Sequence, residues 1–108
     1  MLSAIAPLAK ILFTTIEKSI PDKDFNKAKQ GMEELVGTQP LPMLVKGVII
    51  EMVFQLGKTG VSKFKNMFAA LNEYDYTRAA AEMLNSVWYR QTPSRCEELA
   101  NLVRKCEI

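Results

Sequence analysis

The sequence predicts an all-α fold, a compact orthogonal bundle of about six helices. Three observations carry that expectation. Apolar residues recur at spacings of three and four along the chain, and no stretch alternates as a half-buried strand does. Proline and glycine punctuate the periodic runs at Pro21, Gly37, Pro40, Pro42, Gly57 and Gly60. The 108 residues are 48% hydrophobic and 24% charged, the balance of a globular domain with one modest core.

The elements follow in order. Residues 4–20 put Ile5, Leu8, Leu12, Ile16 and Ile20 on one face, and Pro21 ends that helix. Asp22 or Asp24 is placed to cap a second helix carrying Phe25, Ala28, Met32 and Leu35, with Gly37 just past its end. "TQPLP" is a stiff linker. "MLVKGVIIEMVFQLG" is apolar nearly all round, the pattern of a helix buried on every side. Gly57 and Gly60 bracket a turn before a fourth helix with Val61, Phe64, Phe68 and Leu71 inward. Asp75 caps a fifth, with Ala80, Met83, Leu84, Val87 and Trp88 inward. Thr92 as N-cap and Pro93 at the first helical position open the last, which buries Cys96, Leu99, Ala100 and Val103. Residues 1–37 are read as an N-terminal helical pair and 38–108 as the main bundle, together one domain.

Composition removes several functions. Histidine is absent, which excludes His-based triads and nearly all zinc and copper sites, so no metal or cofactor is expected. The formal charge of +2 does not point to nucleic acid. Lys58, Lys63 and Lys65 read as a solvated face, with Glu73 and Asp75 nearby. Cys96 and Cys106, on one helix, have Cα atoms about 15 Å apart at helical rise, too far for a disulfide. They are read as free thiols of a reducing compartment. The first sixteen residues are apolar, but Pro7 and Lys10 interrupt the run, so no transmembrane segment is expected.

Two runs carry a resemblance. "MVFQLGKTGVSKF", residues 52–64, and "WYRQTPSR", residues 88–95, resemble the C-terminal lobe of phage lysozymes of the T-even type, in the same order and at the same distance. The match covers about residues 41–105. The first forty residues resemble either the amphipathic start of a phage holin or a diverged form of the helix that links the two lysozyme lobes.

The resemblance implies a lysozyme C-lobe-like bundle. Such lysozymes cleave peptidoglycan glycan strands, and the family's carboxylates come from the N-terminal lobe. That lobe's glycine-rich hairpin has no counterpart here, because residues 1–30 contain no glycine. The early carboxylates Glu17, Asp22 and Asp24 fall in a helical pattern or at caps. The chain is therefore expected not to hydrolyse glycans by itself.

The resemblance also places Phe54, Gln55 and Trp88 at cleft-facing positions. Met67 and Glu82 stand where the family often has small or amide residues. Tyr74 and Tyr76, flanking Asp75, form a further candidate patch. The expected partner is a protein, with the chain inhibiting or regulating host defence or lysis in the cytoplasm of an infected bacterium. Peptidoglycan binding, or half of a split lysozyme, is the alternative.

Overall fold

The computed structural model describes residues 22–107, the side chain of Asp22 excepted. Among these residues there are six α-helices and no strand: α1 (Asp22–Val36), α2 (Met43–Ser62), α3 (Lys65–Asn72), α4 (Tyr76–Leu84), α5 (Val87–Gln91) and α6 (Pro93–Arg104). The expected all-α class holds. The expected helix over residues 4–20 lies outside the described residues. The helices form two packed units that divide between Lys63 and Phe64.

In the first unit, α1 lies against α2. Ala28, Gly31 and Met32, at spacings of three and one, are the buried positions of α1. Asp24 lies within α1, and the position before Asp22, where a cap would stand, is outside the described residues. Gly37 ends α1 as its position suggests: its φ is +60°, and its N–H donates to the Glu33 carbonyl at 2.8 Å.

Pro42, at φ −55° and ψ 146°, leads into α2. Every residue from Gly47 to Val53 is buried, as a helix apolar all round requires. One member of that run is charged. Glu51 is only 3% exposed, and its Oε1 accepts a hydrogen bond of 3.0 Å from Gln55 Nε2. At Gly57 the backbone leaves the helix, with φ 79° and ψ 156°. This conformation is essentially reserved for glycine. Val61 sits on the short helical segment after that break and not on α3, so it does not share a stripe with Phe68 as the periodicity suggests.

In the second unit, α4 packs on α3, α5 and α6, and α5 packs on α6. Met67, Ala70 and Leu71 of α3 are buried, as are Ala79, Ala80 and Met83 of α4. From α6 the buried set is Cys96, Leu99, Ala100 and Val103, the four its sequence spacing selects. Helix α3 closes in a Schellman motif. The N–H of Asp75 reaches the Ala70 carbonyl at 2.9 Å, and that of Tyr74 reaches Leu71 at 3.0 Å. The left-handed position of this motif is usually glycine, but here it is Tyr74, at φ 58°.

Two carboxylates close the N-terminus of α4. Asp75 Oδ1 accepts from the Arg78 N–H at 3.0 Å, the expected cap. Glu107 Oε2, thirty residues on, accepts from the N–H groups of Tyr76 at 2.8 Å and Thr77 at 3.2 Å. The first three amides of the helix, which no helical carbonyl can serve, are thus all paired. Glu107→Ala should lower stability by about 1 kcal/mol, read as the shift in urea midpoint at constant slope.

The expected single helix through Trp88 is broken. Ser86 ends α4 and starts α5: its Oγ donates to the Met83 carbonyl at 2.6 Å and accepts from the Tyr89 N–H at 3.2 Å. The break turns Val87 outward, 59% exposed, whereas Trp88 is buried. Pro93 takes the first position of α6. Thr92 precedes it but does not cap it with its side chain. The Thr92 hydroxyl points back and donates to the Trp88 carbonyl at 3.3 Å.

Candidate functional site

The site residues suggested by sequence fall into two groups, one in each unit. Phe54 and Gln55 belong to the first. Phe54 is 44% exposed at the end of the long buried run of α2. Gln55 is also exposed, its amide oriented by the buried Glu51 carboxylate.

Phe54 stands over a groove of about 660 Å³ between α1 and α2. Lys27, Ala28 and Gly31 line one side, and Val53, Phe54 and Gly57 the other. Small residues keep the floor low. A methyl group added at Gly31 would lie 3.0 Å from Val53 Cγ1, so α1 approaches α2 closely there. Lys58 bridges the rim to Glu34, Nζ to Oε2 at 3.0 Å. Both partners are about half exposed, so this pair contributes ~0–1 kcal/mol. No sequence signal joins these two residues.

The groove offers an aromatic face, an apolar floor and a charged rim. Its two carboxylate residues, Asp24 and Glu34, are ten residues apart on one helix, about 15 Å along the axis. Glycosidase carboxyl pairs stand ~5–9.5 Å apart. Among the described residues, no group of three or more Cys, Asp or Glu is placed to hold a metal ion.

In the second unit the candidates do not gather on one surface. Trp88 is 4% exposed and meets Phe64 edge to face, centroids 6.3 Å apart and planes at 79°. Such a pair is a packing contact. Met67 is 2% exposed, on the inward stripe of α3 with Ala70 and Leu71. Met67, placed at a cleft position by the resemblance, thus fills core with its thioether. Glu82 is half-buried. Tyr74 is 49% exposed and Tyr76 half-buried. Burial raises the Tyr76 phenol above its ordinary value, with smaller contributions from Cys106, Tyr74 and Glu107.

Around Trp88 the remaining polar groups pair locally. Tyr89 Oη donates to Glu97 Oε1 at 3.0 Å, and that bond holds its phenol above the usual range. Arg95 lies 3.7 Å from Glu98. Both cysteines are free. Burial pushes the Cys96 thiol up to about 11, and its Sγ donates to the Met83 carbonyl at 3.2 Å. Burial also raises Cys106.

These thiols are poor nucleophiles at neutral pH. A disulfide-exchange reagent near pH 8 should leave Cys96 unmodified in the native protein and react with it once urea unfolds the chain. Prompt native labelling of Cys96 would contradict its burial. The folded thiol keeps its proton to higher pH than the unfolded one. Its contribution to stability is therefore whole below pH 9 and is lost as pH rises towards about 11.

No protein-family model matches the chain. Comparison with known proteins finds relatives whose names share one word, lysozyme. The chain is 31% identical over 97 residues to probable T4-type lysozyme 1 of Dictyostelium discoideum, covering 86% of this chain and 57% of that protein. It is 39% identical over 57 residues to probable T4-type lysozyme 2 of the same organism, covering 53% of this chain and 34% of that one. The chain is thus related to T4-type lysozymes and spans little more than half of the longer match. Residues 38–108 make up about two thirds of the sequence, so a match over 86% of it extends into the first 37 residues. Among the described residues, no helix is long and apolar enough to cross a membrane.

Proposed function

We propose that this lysozyme-like chain works by binding a protein, does not cut glycan strands by itself, and uses Phe54 as the anchor of the interface. The observation that carries the reading is the exposed aromatic ring beside a groove with an apolar floor and a charged rim. Interfaces concentrate their energy on such anchors, with polar groups around them. The separation of Asp24 from Glu34 supports the non-hydrolytic part. The resemblance to phage lysozymes supports the biological part, a partner belonging to lysis or to a bacterial host's defence, met in the host cytoplasm.

A second reading has its own support. The relatives are named lysozymes, and this chain spans 57% and 34% of them. A lobe of that kind binds peptidoglycan, or completes a lysozyme with a second polypeptide.

Three measurements separate the readings. The purified chain should leave suspensions of permeabilised bacteria turbid; clearing by the chain alone would falsify the non-hydrolytic part. Affinity capture should retain a stoichiometric protein that Phe54→Asp releases; a partner indifferent to that change defeats Phe54 as the anchor. Co-sedimentation with purified sacculi, abolished by Gln55→Ala, would favour peptidoglycan instead. Trp88→Ala is unsuitable for these tests, because its ring is core.

A further inference from the structure

At one end of the groove beside Phe54 the two walls are joined. Lys58, following Gly57 on the α2 side, reaches Glu34 on α1, Nζ to Oε2 at 3.0 Å, and both residues line the groove. We infer that this ion pair is an exchangeable latch: a protein partner that seats an apolar side chain beside Phe54 takes Lys58 from Glu34 with an adjacent acidic side chain. The inference rests on the reading of Phe54 as the anchor of a protein interface, and it names the chemistry of the partner.

The exchange costs little. The side chains of Lys58 and Glu34 are 52% and 44% exposed, so water receives either one when the pair opens. Ion pairs this exposed hold weakly. The apolar half of the partner follows from the floor. Ala28, Gly31, Val53 and Gly57 leave room beside the Phe54 ring for a bulky aliphatic or aromatic side chain.

Lys27 decides the sign of the partner's charge. Lys27, Gly31 and Glu34 follow one another on α1 at spacings of four and three, so they share one face. The stem of Lys58 lies against the middle one. A Cβ added at Gly31 would stand 3.7 Å from Lys58 Cβ and 3.9 Å from its Cγ. Lys58 therefore crosses α1 between a cation one turn back and an anion one turn ahead. A basic partner that took Glu34 would release the Lys58 ammonium beside Lys27, like charge against like. An acidic partner that takes Lys58 sits near two ammonium groups and sends Glu34 into water. Asp24, the other carboxylate of the groove, is seven residues from Gly31. That is about 10 Å along the axis, roughly one screening length at ~0.1 M salt.

An amide-shift titration of the isotope-labelled full chain tests the exchange. The probe is a short peptide with leucines at helical spacing, one glutamate beside them and glutamine elsewhere. Its twin carries lysine in place of the glutamate. The glutamate peptide should shift amides in residues 27–34 and 53–58, and should bind roughly fivefold tighter than the twin or better. Glu34→Gln removes the competing carboxylate and should tighten that binding by about two- to fivefold. Lys58→Met and Lys27→Met should each weaken it, and Phe54→Asp should abolish it, with the amides of α4 and α6 as the fold control. Equal or tighter binding of the lysine peptide overturns the proposal. Binding that Glu34→Gln weakens or leaves unchanged overturns it as well, and so does the failure of both peptides to bind. Shifts of the same amides that grow with protein concentration alone assign the groove to a second copy and also overturn it. If the peptides fail while capture still yields a Phe54-dependent protein, only the exchange falls. If the glutamate peptide behaves as expected and capture yields nothing, the exchange stands and the interface reading falls.

Discussion

Replacing Trp88 by alanine should destabilise the protein by about 3–5 kcal/mol, the largest effect expected of any single change considered for this chain. The ring is 4% exposed and set edge-on to Phe64 at 6.3 Å. Truncation removes the transfer free energy of the indole, leaves a cavity and deprives Phe64 of its partner. Small domains have only ~5–15 kcal/mol of stability, so this loss is a large fraction of the total. Urea titration followed by far-ultraviolet circular dichroism measures it without needing the tryptophan signal. A loss below about 1 kcal/mol would mean that the ring is not packed. Trp88→Phe keeps most of the volume and separates loss of fold from loss of function.

The second large effect is expected at Gly57. Its φ of 79° and ψ of 156° are closed to residues with a side chain, so Gly57→Ala should cost about 1–3 kcal/mol. A Cβ built there meets nothing within 4 Å, so the whole loss is backbone strain and not crowding. For a domain of this size each 1 kcal/mol lowers the melting temperature by roughly 4–8 °C. The strained chain also has a way out, because residues that prefer a helix can straighten α2 across the break. Gly57 lines the groove, so the variant should lose Phe54-dependent binding along with stability. A melting temperature equal to that of the wild type would show that the break at Gly57 does not persist in solution.

The parts of the fold legible in the sequence are those that depend on neighbours three or four residues away. The buried face of α6 follows from the spacing of Cys96, Leu99, Ala100 and Val103, and its start from Pro93. Gly37 and Asp75 announce a helix end and a helix start by their own chemistry.

The errors come where periodicity continues through a break. Val87 keeps the apolar spacing of the helix before it, but Ser86 restarts the helix and rotates Val87 into solvent. Val61 likewise continues a pattern that the chain interrupts at Lys63 and Phe64.

The candidate site was less legible, for a related reason. In a helix apolar all round, no periodic signal marks Phe54 as an exposed member. Met67 and Trp88, placed by resemblance to a cleft, are core in this chain. The pairing of Lys58 with Glu34 joins residues twenty-four apart, which no local pattern reports.

The carboxylate of Glu107 has a consequence for how the chain is made. A ribosome releases the amino end first, so α4 emerges with Asp75 as its only cap and with the amides of Tyr76 and Thr77 open to water. Those two amides find their acceptor only when Glu107 has left the tunnel. Until then α4 is a short helix in need of support, and α6, which buries its inner face, is also still to come. The second unit therefore closes in one step, once Glu107 has emerged. A translational pause shortly before residue 107 would hold it open.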